Sequence, residues 1–175
     1  PSLVFNTVAA PTAASYTIAT YTTGSAPVIP TIIGVPAGYV VDTATVGEIK
    51  LVSLYLTWAS SKGLTVANNG LTQDPDNDNI TNLQEYYFDG NPLASDPSIL
   101  PQSSLDATYL KLTFKRRDDA ESDVISQIAQ WGSNLTGWTN ATITAATAAA
   151  DANGVIITVG ENGTAADDVE VKIPR

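Results

Sequence analysis

The stretch Asp74-Pro75-Asp76-Asn77-Asp78-Asn79-Ile80-Thr81-Asn82-Leu83-Gln84-Glu85 divides the chain and decides how the rest is read. Three carboxylates alternate along its first half, and a fourth closes it at the twelfth position. In a tightly folded loop, side chains at positions 1, 3 and 5 converge on one point. The seventh residue offers its carbonyl, and a carboxylate at the twelfth returns from the first turn of a helix. Those positions are held by Asp74, Asp76, Asp78, Ile80 and Glu85, with Asn82 at the ninth, where a ligand or a water completes the shell. Oxygen ligands at this spacing suit Ca²⁺; Mg²⁺ is disfavoured because it keeps several waters. Without a cation, the crowded carboxylates would repel one another by several kcal/mol, by Coulomb's law at contact distance. The sixth position demands a sharp backbone turn with positive φ. Asn79 stands there in place of glycine, and Asn tolerates the left-handed region next best.

Working outward, the residues before the loop read as short strands. Leu3-Val4-Phe5, Tyr16-Thr17-Ile18-Ala19-Thr20-Tyr21, Tyr39-Val40-Val41 and Glu48-Ile49-Lys50-Leu51-Val52 are rich in β-formers. Pro27, Pro30 and Pro36 punctuate them and favour edges and turns. The period then changes: Leu54, Tyr55, Trp58 and Ala59 recur at helical spacing, with Ser53 as N-cap and Gly63 as stop. A second short helix is predicted over 81–89, ended by Gly90-Asn91-Pro92. Beyond Pro101, Leu110, Leu112 and Phe114 alternate with polar residues, as do Val155, Ile157 and Val159, and then Val169, Val171 and Ile173. That period-two pattern predicts half-buried strands. Val124–Trp131 reads as a further strand, and the Ala-rich run 145–152 as a loop.

The expected fold is mainly β: antiparallel, sandwich-like layers with two short helices flanking a single EF-hand-like calcium loop. Three segments follow from it: an N-terminal β-strand region over 1–52, a helix–loop–helix segment over 53–100, and a C-terminal antiparallel β-module over 101–175.

Composition narrows the function. A hydrophobic fraction of 43% against 15% charged describes a globular chain rather than a disordered one. A net charge of −10 argues against nucleic acid and against anionic membrane surfaces. No apolar run reaches the ~20 residues that span a bilayer. Cys, His and Met are absent, which removes disulfides, thiol nucleophiles, the commonest general base and the softer metal sites. The absence of oxidisable sulfur fits an oxidising, extracellular setting.

With these residues in view, the sequence resembles a module of large secreted proteins of Verrucomicrobia and Planctomycetes. There, a tryptophan-bearing helix leads into D-P-D-x-D-G-L-x-N-L-x-E-Y and then G-x-D/N-P. The counterparts here are Trp58, the run Asp74 to Tyr86, and Gly90-Asn91-Pro92. The loop is close in kind to those of dockerin modules and thrombospondin type-3 repeats. Tyr16–Tyr21 and Pro36–Asp42 resemble passenger-like β-rungs upstream. Leu112–Arg117 and Ser133–Thr139 resemble a downstream β-module. The departure is Asn79 for Gly, which bears on affinity. The resemblance implies an exported, cell-surface structural part and no catalysis.

Other constellations have plainer readings. Lys115-Arg116-Arg117-Asp118-Asp119-Ala120-Glu121-Ser122-Asp123 reads as a solvated hairpin turn. Trp131, Trp138, Tyr86 and Tyr87 could stack a sugar, but core packing accounts for them more simply. A carboxylate pair for glycoside hydrolysis is conceivable, yet the clustered aspartates are already explained by calcium. Four Asn-x-Thr sequons, at Asn79, Asn134, Asn140 and Asn162, are expected by chance in so Asn- and Thr-rich a chain. Pro1-Ser2-Leu3-Val4-Phe5 and Ile173-Pro174-Arg175 put strands at both ends. The expectation is a processed subunit whose terminal strands pair with neighbouring copies by strand exchange, building a filament or surface layer. The alternative is a carbohydrate- or cell-wall-binding module of a larger surface protein.

Overall fold

The computed structural model describes residues 2–6, 12–22, 31–36, 38–121, 127–132, 134, 136–163 and 165–175. The prolines expected at turns 27 and 30, the start of the strand expected from 124, and sequon positions 135 and 164 lie outside the described residues. The chain divides into two compact units, Pro1–Asn69 and Gly70–Arg175.

The first unit holds strands β1 (Ser2–Val4), β2 (Ser15–Thr20), β3 (Thr31–Ile33), β4 (Tyr39–Asp42) and β5 (Glu48–Ser53), then helix α1 (Leu54–Ser61). Strands β2, β5 and β4 form an antiparallel sheet in that order. β5 lies at its centre because its apolar residues alternate: Ile49 and Leu51 are buried, while Glu48 and Lys50 at the alternate positions pair at 2.7 Å. β1 and β3 pair in parallel, which departs from the all-antiparallel expectation. The physical allowance for it is the long connection between them, since parallel neighbours need a crossover of a dozen or more residues. α1 starts where Ser53 Oγ accepts from Leu56 N at 3.2 Å. It stops at Gly63, whose φ of 88° carries the chain out of the helix without the penalty a Cβ would bring.

The second unit begins with the acidic loop and helix α2 (Asn82–Tyr87). A 3-10 turn over Pro97–Ile99 leads into β6 (Gln102–Leu105) and β7 (Tyr109–Arg116). Helix α3 (Asp118–Glu121), β8 (Ile128–Trp131), β9 (Thr139–Thr142), β10 (Ile156–Asn162) and β11 (Ala165–Pro174) follow. An antiparallel sheet runs in the order β10-β11-β7-β6, and β8 pairs antiparallel with β9.

The alternation in β11 turns Val169, Val171 and Ile173 to one face, where Ile157 and Val159 of β10 and Leu110, Leu112 and Phe114 of β7 join them. Ala129 of β8 and Ala141 of β9 complete the same core, so the β8–β9 pair forms a second layer on that face. Small residues at these two positions let the pair approach closely. Each fully buried Val or Ile contributes roughly 1.5–3 kcal/mol.

The mixed-charge run departs from the solvated hairpin turn expected of it. Arg116 follows Leu110, Leu112 and Phe114 in parity, so it ends β7 on the buried face and is 0% exposed. Its guanidinium donates to the carbonyls of Thr144 and Ala145, each at 2.8 Å, and pairs with Glu121 and with Asp167 at 3.4 Å. Asp118, Asp119 and Glu121 then form α3. The described residues are mainly β and hold three α-helices rather than the two expected. No helix among them is long and apolar enough to cross a membrane.

Candidate metal centre

The acidic loop is closed at its base by backbone ties. Asn82 N donates to Gln73 O at 2.8 Å and Leu83 N to Leu71 O at 3.0 Å. Asn82 Nδ2 donates to Gly70 O at 2.9 Å. Thr81 caps α2 in a reciprocal box with Gln84, satisfying two of the orphan donors of the first turn. Ile80, the residue before that cap, is buried at 1% exposure. These ties set the start of α2 and so place Glu85 in its first turn.

Within the loop the backbone winds round the carboxylates. Asp74 accepts from Asp78 N at 3.3 Å and from Asn79 N at 2.9 Å. Asp76 Oδ1 also accepts from Asp78 N at 3.3 Å, and Asp78 Oδ1 from Ile80 N at 2.9 Å. The winding needs two left-handed residues, Asn77 with φ 62° and Asn79 with φ 71°. Positive φ at Asn79 is what the sequence requires of that position.

Oxygens of Asp74, Asp76 and Asp78 lie within 4.8 Å of one another, and so do oxygens of Asp78, Glu85 and Asp96. Two oxygens on opposite sides of one Ca²⁺, each at 2.3–2.6 Å, stand about 5 Å apart. Both groups are therefore compact enough for a single ion, and Asp78 belongs to both. Of the residues singled out in the sequence, Asp74, Asp76, Asp78 and Glu85 fall in these groups. Ile80 sits between them on the loop, with its N–H bound to Asp78. Asn82 commits its Nδ2 to bracing Gly70.

Asp96 is the residue that sequence reasoning missed. The chain leaves α2 through Asp89, in the left-handed region at φ 60°, and turns back at Gly90, whose N donates to Glu85 O at 2.7 Å. A Cβ on Gly90 would stand 2.5 Å from Ile99 Cδ1 and 3.2 Å from Glu85 Cβ, so glycine permits the close return. Asp96 N then donates to Asp78 Oδ2 at 3.0 Å. The signal in the sequence is a second Asp-Pro, Asp96-Pro97, repeating Asp74-Pro75.

The electrostatics are one-sided. Glu85 is 0% exposed, and neither of its carboxylate oxygens meets a hydrogen-bond donor among the described residues. Asp76 Oδ2 and Asp96 Oδ1 are likewise buried without a donor. No Lys or Arg among the described residues pairs with any of the five carboxylates. Burial pushes the Glu85 carboxyl up to about 8, helped by the charges of Asp96, Asp76 and Asp78. Asp76 is raised for the same reasons, burial first and then Asp78 and Asp74.

A third carboxylate group, Glu121, Glu161 and Asp167, already contains a cation, the Arg116 guanidinium, and reads as a structural ion-pair hub. The four aromatic residues considered for sugar stacking do not share one surface. Tyr86 is buried with the Arg117 guanidinium 5.8 Å from its ring centre, and Tyr87 packs with Phe88 and Phe114. Trp131 packs against the core, and Trp138 is exposed. Comparison of the chain with protein-family models, with curated proteins and with solved structures finds no match.

Proposed function

We propose that this chain is a non-catalytic, extracellular structural protein whose second unit carries one structural Ca²⁺ in the loop 74–85. The observation that carries the reading is the Glu85 carboxylate: fully buried, without a hydrogen-bond donor among the described residues, and close to other carboxylates. Burying an unpaired carboxylate is among the most costly things a fold can do, and a bound cation removes that cost. The ligand chemistry is all oxygen, in a chain with neither His nor Cys, which favours a hard cation. Asp74, Asp76, Asp78 and Glu85 supply carboxylates, and Ile80 a main-chain oxygen. The ion would fasten α2 to the loop and thereby to the sandwich-like β-layers beyond it. The resemblance to calcium-loop modules of secreted proteins supports the extracellular setting.

The assembly part of the reading, subunits joined through β-strands, draws on the first unit. Val4 of β1 and Ile32 and Ile33 of β3 are 51%, 42% and 53% exposed on a two-stranded pair. Short pairs with exposed apolar residues invite strand addition. Size-exclusion chromatography with electron microscopy checks it; a monodisperse monomer at all concentrations contradicts the polymer.

The calcium reading is tested by melting chelator-treated protein with and without 10 mM CaCl₂. Extracellular modules bind at roughly 10⁻⁴–10⁻³ M. The stabilisation expected at that excess is about 1.4–2.7 kcal/mol, a clear rise in Tm. No rise contradicts the reading.

A further inference from the structure

We infer that Asp96, from the chain beyond α2, is a direct ligand of the same cation, so that the ion clasps the return segment 90–96 onto the loop. The inference rests on the calcium reading above and extends it to a residue outside the twelve-position loop. Three observations point to it independently of the loop's spacing. An Asp96 oxygen lies within 4.8 Å of oxygens of both Asp78 and Glu85. Asp96 Oδ1 is buried and meets no donor among the described residues, as is the case for both oxygens of the fully buried Glu85. The other Asp96 oxygen, Oδ2, accepts from Asn91 N at 3.0 Å, which fixes the carboxylate plane and leaves Oδ1 for a ligand.

The division of labour between the two oxygens matters. A residue placed only to shape the turn needs Oδ2. The other oxygen of Asp96, Oδ1, is buried and serves no part of that turn, and the carboxylate group stands close to those of Asp78 and Glu85. With a cation between them, the same arrangement becomes attractive. Asp96 N also donates to Asp78 Oδ2, so the segment is joined to the loop by one hydrogen bond already in line with the proposed coordination. Gly90 eases this return path, since a Cβ there would press on Ile99 Cδ1 and on Glu85.

The test uses the full chain and the isosteric variant Asp96→Asn. Asn keeps an oxygen for Asn91 N and replaces the ligand oxygen with an amide NH₂ that cannot bind a cation. The expected result in calcium titration calorimetry is an affinity at least tenfold weaker than wild type. The chelator-treated variant should melt no lower than chelator-treated wild type, since one repelling charge is gone. Hydrogen exchange of the full chain adds a second readout: calcium should slow exchange at Asp96 N and Gly90 N in wild type but not in the variant. Equal calcium affinity in the two proteins overturns the inference while leaving the calcium reading intact. Absence of binding in wild type overturns both. If the variant fails to fold, wild-type exchange decides: no calcium-dependent protection at Asp96 N overturns the inference.

Discussion

A buried carboxylate with no donor is a standing cost to any fold, and Glu85, which meets none among the described residues, bears that cost beside the acidic loop. Its raised pKa fixes the sign of a pH effect. Below about 4.5 the carboxyl is protonated whether the chain is folded or not, and contributes nothing. Between there and about 8 the unfolded chain releases its proton while the folded chain retains it, so stability falls as pH rises. Above that window the whole penalty is present. Thermal melts in chelator should therefore show stability declining from pH 5 to pH 8. Calcium, which needs the deprotonated form, should widen its lead over the chelated protein across the same interval. Glu85→Gln should flatten the chelated profile and abolish the calcium response. A chelated profile that is flat for the wild type as well would contradict the assignment of Glu85. The convergence of the loop carboxylates is legible because their spacing is local, each following the last within a dozen residues. Asp96 was not legible in this way, because its place depends on a return path set by Asp89, Gly90 and the turn at Asn91 rather than on a fixed offset.

Elements, by contrast, are legible through their periods, except where polarity masks a period. The strands β5, β7, β10 and β11 show alternation and lie close to where it places them. The segments β3, β6 and β9 are short or largely polar, and they exist because a neighbour offers its edge. Arg116 shows the same masking most clearly. Its charge suggested solvent, but its parity with Leu110, Leu112 and Phe114 put it inside, where carbonyls and carboxylates meet it. It joins β7 to β11, to α3 and to the segment at 144–145. Removing one partner of such a buried ionic group typically costs about 3–5 kcal/mol. Arg116→Met should lower unfolding stability by that order in chemical denaturation of the full chain. A loss under about 1 kcal/mol would mean the guanidinium is no more than a surface ion pair.

For the whole molecule, the division into Pro1–Asn69 and Gly70–Arg175 assigns the candidate site to the second unit alone. The core of that unit is built from β7 to β11 and does not include the loop carboxylates. The ion should therefore act as a clasp on one side of a fold that forms without it, in contrast to small metal domains that unfold when stripped. Hydrogen exchange should show calcium-dependent protection concentrated in residues 71–99, little change in β10 and β11, and none in β2 to β5. Protection spread over both units would contradict this, and would make the ion a condition of folding for the entire chain.

The most direct test is calorimetric titration of the chelator-stripped full chain with CaCl₂. The calcium proposal predicts saturable binding of one ion per chain, with a dissociation constant on the order of 10⁻⁴–10⁻³ M and loss of the signal in Glu85→Gln. No heat and no saturation up to 10 mM calcium would contradict the account at its centre.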